Sequence, residues 1–323
     1  ATDWADQLAG VDRLWSELTA IITRFEPVLI VCRDPDHRAR IEALTRTAGA
    51  DPARVHLAIA PSDDSWARDH GPITVLDPQG APRLLDFRFN GWGEKFAAAR
   101  DDALTGTLHR AGVFGETPLE SVDLVVEGGA IETDGRGTLL AVARTLEDAS
   151  RNPGLDRAAL ETRLGGLLGV DRFLWLEHGQ ISGDDTDGHI DTLARFTDPE
   201  TLCYARCEDP DDPDYGPLTA MEAELRALRT RDGAPYRLVP LPSPAPQTDA
   251  EGRRLPAGYA NFLIINAAVL VPTYADPADA KALAVVARLF PDREVLGFDC
   301  RGVIRLSGRK SYFGNGSDLL HII

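Results

Sequence analysis

Apolar residues recur at three- and four-residue spacing near the amino end (Leu8, Val11, Leu14, Leu18 and Ile21), which predicts a helix over the first 25 residues. Val28 to Cys32 is a short unbroken apolar run, the pattern of a buried strand. Residues 38–48 read as a helix and 55–60 as a second strand. From there one pattern repeats: a polar cluster, an apolar strand, a tight turn and a second apolar strand. The first copy runs from Trp66 through Ile73 to Leu76, turns at Asp77-Pro78-Gln79-Gly80 and returns along Leu84 to Phe89. The second begins at Glu127-Gly128-Gly129, turns at Asp134-Gly135-Arg136-Gly137 and returns along Thr138 to Val142. The third begins at Gly188-His189-Ile190-Asp191, turns at Asp198-Pro199-Glu200 and returns along Leu202 to Ala205. The fourth begins at Tyr259-Ala260-Asn261, with strands at Phe262 to Ile265 and Ala268 to Val271. Asp-Pro and Asp-Gly are ordinary hairpin-turn chemistry.

Helical patterns at residues 97–110, 157–168, 220–229 and 278–289 separate the copies, so the chain is α/β. One supersecondary unit recurring every roughly 60–70 residues predicts a closed, pseudo-symmetric array. Equivalent strand ends in such an array converge on one axis, and the four polar clusters would meet in one central cavity. Nothing of low complexity splits the chain, and the Pro-rich stretch from Pro240 to Pro256 reads as a long loop and candidate lid.

Charge narrows the partners. The formal net charge is −17, and an acidic surface repels phosphate backbones and anionic lipid. The expected partner is therefore a small cationic molecule rather than nucleic acid or a membrane, with a second copy of the chain also allowed. No apolar run reaches the length of a membrane span; the longest, Phe262 to Pro272, contains Asn266. The amino end has neither a basic n-region nor an apolar h-region, and it lacks an initiator Met, so upstream residues are expected to be missing. Four cysteines (Cys32, Cys203, Cys207 and Cys300) are too few for a disulfide scaffold, and a reducing cytoplasm is the simplest location. Cys203 and Cys207 lack a second Cys/His pair at zinc spacing, so no zinc site is expected there.

The polar clusters carry Asp69, Glu127, His189 and Asp191. Two carboxylates suit a planar cation that offers several N–H donors in fixed directions. A third can hold and charge an imidazole, which then supplies a proton to a leaving amine. Each piece also has a plainer reading. Arg68-Asp69 could be a surface ion pair, Glu127-Gly128-Gly129 a turn, and His189 a structural histidine. Asp184, Asp185, Asp187 and Asp191 could hold a metal ion, although they lack the regular ligand spacing of a calcium loop.

Six motifs together resemble the agmatine deiminase family, which includes the bacterial peptidylarginine deiminases. They are Trp66-Ala67-Arg68-Asp69-His70-Gly71-Pro72; Phe89-Asn90-Gly91-Trp92-Gly93-Glu94-Lys95-Phe96; Glu127-Gly128-Gly129; Arg151-Asn152-Pro153; Gly183 through Asp191; and Leu255 through Phe262. The resemblance implies one agmatine deiminase-like domain over residues 1–323 and the pentein fold, a five-bladed pseudo-symmetric α/β propeller with a central active-site cavity. It also implies hydrolysis of a guanidinium group, agmatine giving N-carbamoylputrescine and ammonia on the route to putrescine. Asp69 and Asp191 would clamp the guanidinium, a cysteine thiolate would attack its central carbon, and His189, oriented by Glu127, would protonate departing ammonia and then activate water. Trp92, Tyr259 and Asn261 are candidates for pocket walls or tail recognition.

From about residue 302 the sequence departs from the family pattern. The expected cysteine falls near Tyr312 on one count and at Ile322 on another. Cys300, preceded by Val295, Leu296 and Phe298, is expected to end a buried strand. Four functional readings therefore stand: agmatine hydrolysis; deimination of free or peptidyl arginine; guanidine binding without catalysis; and metal-dependent hydrolysis on the acidic run from Asp184 to Asp191.

Overall fold

The most apolar strands lie at the middle of small sheets, where both faces are covered. The computed structural model describes residues 8–307 and 321–322, and among them five three-stranded sheets share one design. Each middle strand pairs antiparallel with one neighbour, its hairpin partner in four of the five sheets, and parallel with a third strand, which it reaches through a helical connection. Parallel neighbours require such a crossover, so four of the repeats are a hairpin followed by a helical connection and a third strand. The described residues fall into two compact units, those of Ala1–Gly128 with Arg309–Ile323 and those of Gly129–Gly308.

In the first unit, β1 (Val28–Cys32) and β2 (Val55–Ile59) run parallel with Val28 opposite Val55. The helix between them, Pro35–Thr47, has Pro35 in its first turn and Asp34 as its cap, accepting from the His37 N–H at 2.8 Å. The short strand His321–Ile322 completes this sheet by pairing antiparallel with β1. This fifth repeat is thus assembled from both ends of the chain, which is why it does not show in the sequence as a hairpin. The second sheet contains β3 (Ile73–Leu76), β4 (Pro82–Arg88) and β5 (Leu119–Val125). Its hairpin turns where predicted, with Asp77 Oδ1 accepting from the Gln79 and Ala81 N–H groups.

The single helix predicted over 97–110 is broken into Ala99–Asp102 and Leu104–Arg110. The break serves Asp101 and Asp102, whose carboxylates reach back to backbone. Asp101 accepts from the Asp63 and Asp64 N–H groups, and Asp102 accepts from Phe89 at 2.6 Å.

The second unit holds three sheets. The first is β6 (Ile131–Thr133), β7 (Thr138–Val142) and β8 (Arg172–Leu176). The next is β9 (Ala194–Asp198), β10 (Thr201–Ala205) and β11 (Arg237–Leu241). The last is β12 (Leu263–Ile265), β13 (Ala268–Thr273) and β14 (Glu294–Asp299). Every residue of β7 and of β10 is buried, in keeping with a covered strand. Helix Arg157–Leu168 starts on the Asp156 cap and stops at Gly169, whose φ of +68° is the left-handed position glycine tolerates. The helix predicted from residue 220 begins earlier, at Tyr215, and runs to Ala227. Gly216 and Pro217 look like breakers but fall in its first turn, where a missing N–H costs nothing. Pro240 lies in β11 rather than in the long loop; β11 is an edge strand, where proline is tolerated. Buried side chains such as Leu202, Tyr204 and Met221 bind β10 to helix Tyr215–Ala227, each fully buried apolar side chain contributing about 1.5–3 kcal/mol. Among the described residues no helix is long and apolar enough to cross a membrane.

Candidate active site

The chemistry-bearing residues share a topological address. Asp69 lies between β2 and β3, Glu127 between β5 and β6, His189 and Asp191 between β8 and β9, and Tyr259 and Asn261 between β11 and β12. Each therefore sits where the chain leaves the third strand of one sheet and enters the hairpin of the next. The same connection in the last repeat begins at Cys300 and passes through residues 308–320, so Tyr312 lies outside the described residues and Ile322 is described only as strand.

In the first unit, Asp69 stands on the one-turn helix Ala67–His70. Trp92 donates from its indole N–H to Asp69 Oδ2 at 3.2 Å. Trp92 itself is 2% exposed and packs edge-on against Phe89, ring centroids 4.9 Å apart, and against Phe96 at 5.8 Å. The backbone that delivers it is unusual: Gly91, Trp92, Gly93 and Glu94 all have positive φ, and Trp92 is at φ 58°, ψ 52°. A bulky residue there costs conformational energy, so the surrounding aromatic packing must hold it. Trp92 follows β4 rather than preceding a hairpin, so it reaches Asp69 from a different connection.

Glu127 is fully buried. Its neighbour Gly128 brings the two acidic segments together: a Cβ on Gly128 would lie 2.0 Å from the Arg68 carbonyl oxygen. Glycine is required at that close approach. Next to Asp69, His70 is buried against Phe89, and burial pulls its pKa down to about 4 although the Asp69 carboxylate pulls the other way.

In the second unit, His189 and Asp191 are 3% and 7% exposed and lie at the single turn Ile190–Thr192. The loop before them is tied down by the acidic run. Asp184 accepts from the Thr186 N–H, the Thr186 hydroxyl and the Gly188 N–H at 3.1, 2.6 and 2.8 Å. Asp187 pairs with the buried Arg151 guanidinium at 3.0 Å. The oxygens of Asp184 and Asp187, two of the four aspartates that also suggested a metal ion, thus hold a loop. Among the described residues no three His, Cys, Asp or Glu side chains are grouped to hold a metal.

Arg195, four residues beyond Asp191, is a centre the sequence did not announce. It bonds Glu132 on β6 at 2.7 Å, donates to the Phe262 carbonyl at 2.9 Å and the Ala260 carbonyl at 3.3 Å, and lies over the Phe262 ring. Burial alone would lower its pKa, but Glu132 and then Asp191 outweigh that and hold it charged. It thereby braces the backbone on both sides of Asn261, whose own side chain is exposed. Tyr259 is 1% exposed, tilted against Tyr274, and donates to Asp279 at 2.8 Å. Burial and that carboxylate push its phenol pKa upward. The contacts of Tyr259 are thus with the core cluster.

The model of the Porphyromonas-type peptidyl-arginine deiminases matches residues 1–310. The chain belongs to that family. The agmatine deiminase of Stutzerimonas stutzeri is 32% identical over 337 residues, covering 98% of this chain and 87% of that protein. A Porphyromonas gingivalis protein described as a putative arginine deiminase is 47% identical and superposes with a TM-score of 0.87, covering 99% of this chain and 94% of that one. A Campylobacter jejuni agmatine deiminase, a cysteine-to-serine variant with substrate bound, is 33% identical with a TM-score of 0.86, covering 98% and 90%. The mixed α/β architecture of small sheets is the family's.

The four thiols of this sequence share one physical state. Burial pushes Cys32 up to about 11 and Cys203 to about 12, and it raises Cys207 as well. Cys300 does follow the last residue of β14, but that strand, expected to be buried, is half-buried to exposed along its length; burial of the thiol itself, reinforced by Asp299, pushes it up to about 12. None of the four is a thiolate at neutral pH.

Proposed function

We propose that this chain acts on a guanidinium group, converting agmatine and water to N-carbamoylputrescine and ammonia, as a single agmatine deiminase-like domain over residues 1–323 with the five-bladed α/β propeller fold. The observation that carries this reading is the shared address of Asp69, Glu127, His189 and Asp191 at successive hairpin entries. Family membership and the naming of the relatives as agmatine deiminases support it.

In this reading Asp69 and Asp191 take the guanidinium between them. Two carboxylates match its planar set of N–H donors and fix the central carbon for attack. Trp92 occupies one acceptor direction of Asp69 and so sets which oxygen faces the substrate. Glu127 orients His189. In the scheme that the family resemblance implies, a cysteine thiolate at a carboxyl-terminal position that none of this sequence's four cysteines occupies would add to the carbon, His189 would give a proton to the departing ammonia, and His189 would then activate the water that releases the ureido product. No cofactor enters the scheme, and the four free cysteines suit a cytoplasmic setting.

One observation favours a second reading, guanidine binding without covalent turnover. Burial raises the pKa of every thiol in this sequence, and none lies at the family's nucleophile position. Ammonia release from agmatine decides between the two, with arginine and arginyl peptides as competing substrates. Turnover of agmatine at a higher kcat/KM than the arginine compounds supports the first reading, and the reverse order makes the chain an arginine or peptidylarginine deiminase. Saturable agmatine binding that Asp191→Ala abolishes, with no ammonia released, establishes the second. Turnover that a chelator abolishes would instead return the acidic run to a metal-dependent hydrolysis.

A further inference from the structure

The motif Arg151-Asn152-Pro153 has no part in the chemistry above, yet Arg151 is a buried cation in direct contact with the loop that leads into His189. Its side chain is fully excluded from solvent. It donates to Asp187 Oδ2 at 3.0 Å and to the Thr186 carbonyl at 3.1 Å. The segment it grips is strained: Asp187 sits at φ +71° and Gly188 at φ +92°, and a Cβ on Gly188 would lie 3.0 Å from the Gly179 carbonyl oxygen. The Thr145 hydroxyl holds the same segment from another side, donating to the Asp187 and Gly188 carbonyls at 2.8 and 3.1 Å. Asp184 takes the Gly188 N–H, and the His189 N–H donates to the Thr186 hydroxyl at 3.1 Å.

A non-glycine residue in the left-handed region persists only where its surroundings over-determine it. Beside Thr145 and Asp184, the determinant that grips Asp187 by its side chain is a guanidinium fork that binds a carboxylate and a carbonyl at once, which an ammonium on a flexible stem does not reproduce. We propose that Arg151 is a positioning residue for His189: through Thr186 and Asp187 it fixes the backbone from which the imidazole projects. The proposal rests on the reading of His189 as the proton-transfer group. A proton donor displaced by about 1 Å loses on the order of 100-fold in rate, so the effect belongs in kcat.

The test compares Arg151→Met, Arg151→Lys and Asp187→Asn in the full chain, by amide hydrogen exchange across residues 184–192, thermal melting and agmatine turnover. The expected result is exchange at 186–189 faster by at least about tenfold in Arg151→Met and Asp187→Asn, with exchange elsewhere unchanged. In the same variants kcat falls about 100-fold while KM stays within about threefold, and Arg151→Lys recovers only part of each loss. Unchanged exchange at 186–189 overturns the proposal, as does a loss that tracks global melting at every amide. If Arg151→Met does not fold, Asp187→Asn, whose partner guanidinium remains in place, decides by the same criteria. A wild-type chain that neither binds nor turns over agmatine would sink the functional reading alone, and the exchange comparison would still decide whether Arg151 orders the His189 segment.

Discussion

The Trp92 indole donates to the Asp69 carboxylate at 3.2 Å, from a backbone conformation that a tryptophan seldom adopts. The strain and the hydrogen bond belong together. Gly91 cannot carry a side chain, because a Cβ there would lie 2.2 Å from the Phe96 carbonyl oxygen, and the tight turn this permits points the indole N–H back at Asp69. Sequence dictates the turn, and the turn dictates the donor that reaches Asp69.

Trp92→Phe keeps an aromatic ring among Phe89 and Phe96 but removes that donor. A hydrogen bond to a charged group is worth about 1.5–3 kcal/mol, and about 1.4 kcal/mol is tenfold in affinity. The melting temperature should fall, because that bond is made within the folded protein, and the dissociation constant for agmatine should rise by at most roughly ten- to a hundredfold as Asp69 loses its fixed orientation. Calorimetric titration measures it whether or not turnover occurs, and an unchanged affinity would remove Asp69 from the binding scheme.

Gly128→Ala tests the contact between the Asp69 and Glu127 segments. The new Cβ would meet the Arg68 carbonyl oxygen at 2.0 Å, and the backbone that must yield carries the buried Glu127. Overpacking of this kind costs about 1–3 kcal/mol or more. The urea midpoint should fall accordingly, whereas Gly80→Ala, with nothing within 4 Å but a φ of +82°, should cost only the turn strain of about 1–2 kcal/mol.

Much of this organisation is legible in the sequence. Asp77, Asp134 and Asp198 mark three hairpin turns, and the helix from Ala278 to Leu289 falls where periodicity puts it. What hides is non-local. The fifth sheet joins residues near 30 to residues near 322, and no local pattern encodes that pairing. Asp101 and Asp102 lie in a helical pattern, but their bonds to distant backbone N–H groups break it. Four polar clusters are visible as motifs; that arginines brace two of them is not. Arg151 sits in a recognisable motif without revealing its target, and Arg195 looks like the polar face of an ordinary strand.

Arg195 and Glu132 make a buried ion pair, so a single substitution and a double one should differ in kind. Arg195→Met leaves a carboxylate buried without its cation and two backbone carbonyls without a donor, which costs about 3–5 kcal/mol. Arg195→Met with Glu132→Leu removes both charges and should cost much less than the sum of the singles. Denaturant melts of the four proteins give the coupling; additive losses would mean that the pair is not the brace its geometry describes.

The pH dependence of stability should carry two opposed signatures from the first unit. His70 is buried and its pKa lies at about 4 against an ordinary 6.5. Below 6.5 the unfolded chain takes up a proton that the native chain refuses, so the His70 contribution is complete above 6.5 and is lost as pH falls through 4. Asp101 runs the other way. Burial outweighs its two backbone N–H donors and pushes its carboxyl up to about 7 against 3.8. Its contribution is complete below 3.8 and is lost as pH rises through 7. Each, taken alone, spans on the order of 3–4 kcal/mol. His70→Phe should therefore make stability fall less steeply between pH 6.5 and 4, and Asp101→Asn should make it fall less steeply between pH 4 and 7. Urea midpoints at unit pH intervals measure both slopes. If His70→Phe leaves the acid limb unaltered, the native imidazole must take up its proton near its ordinary pKa.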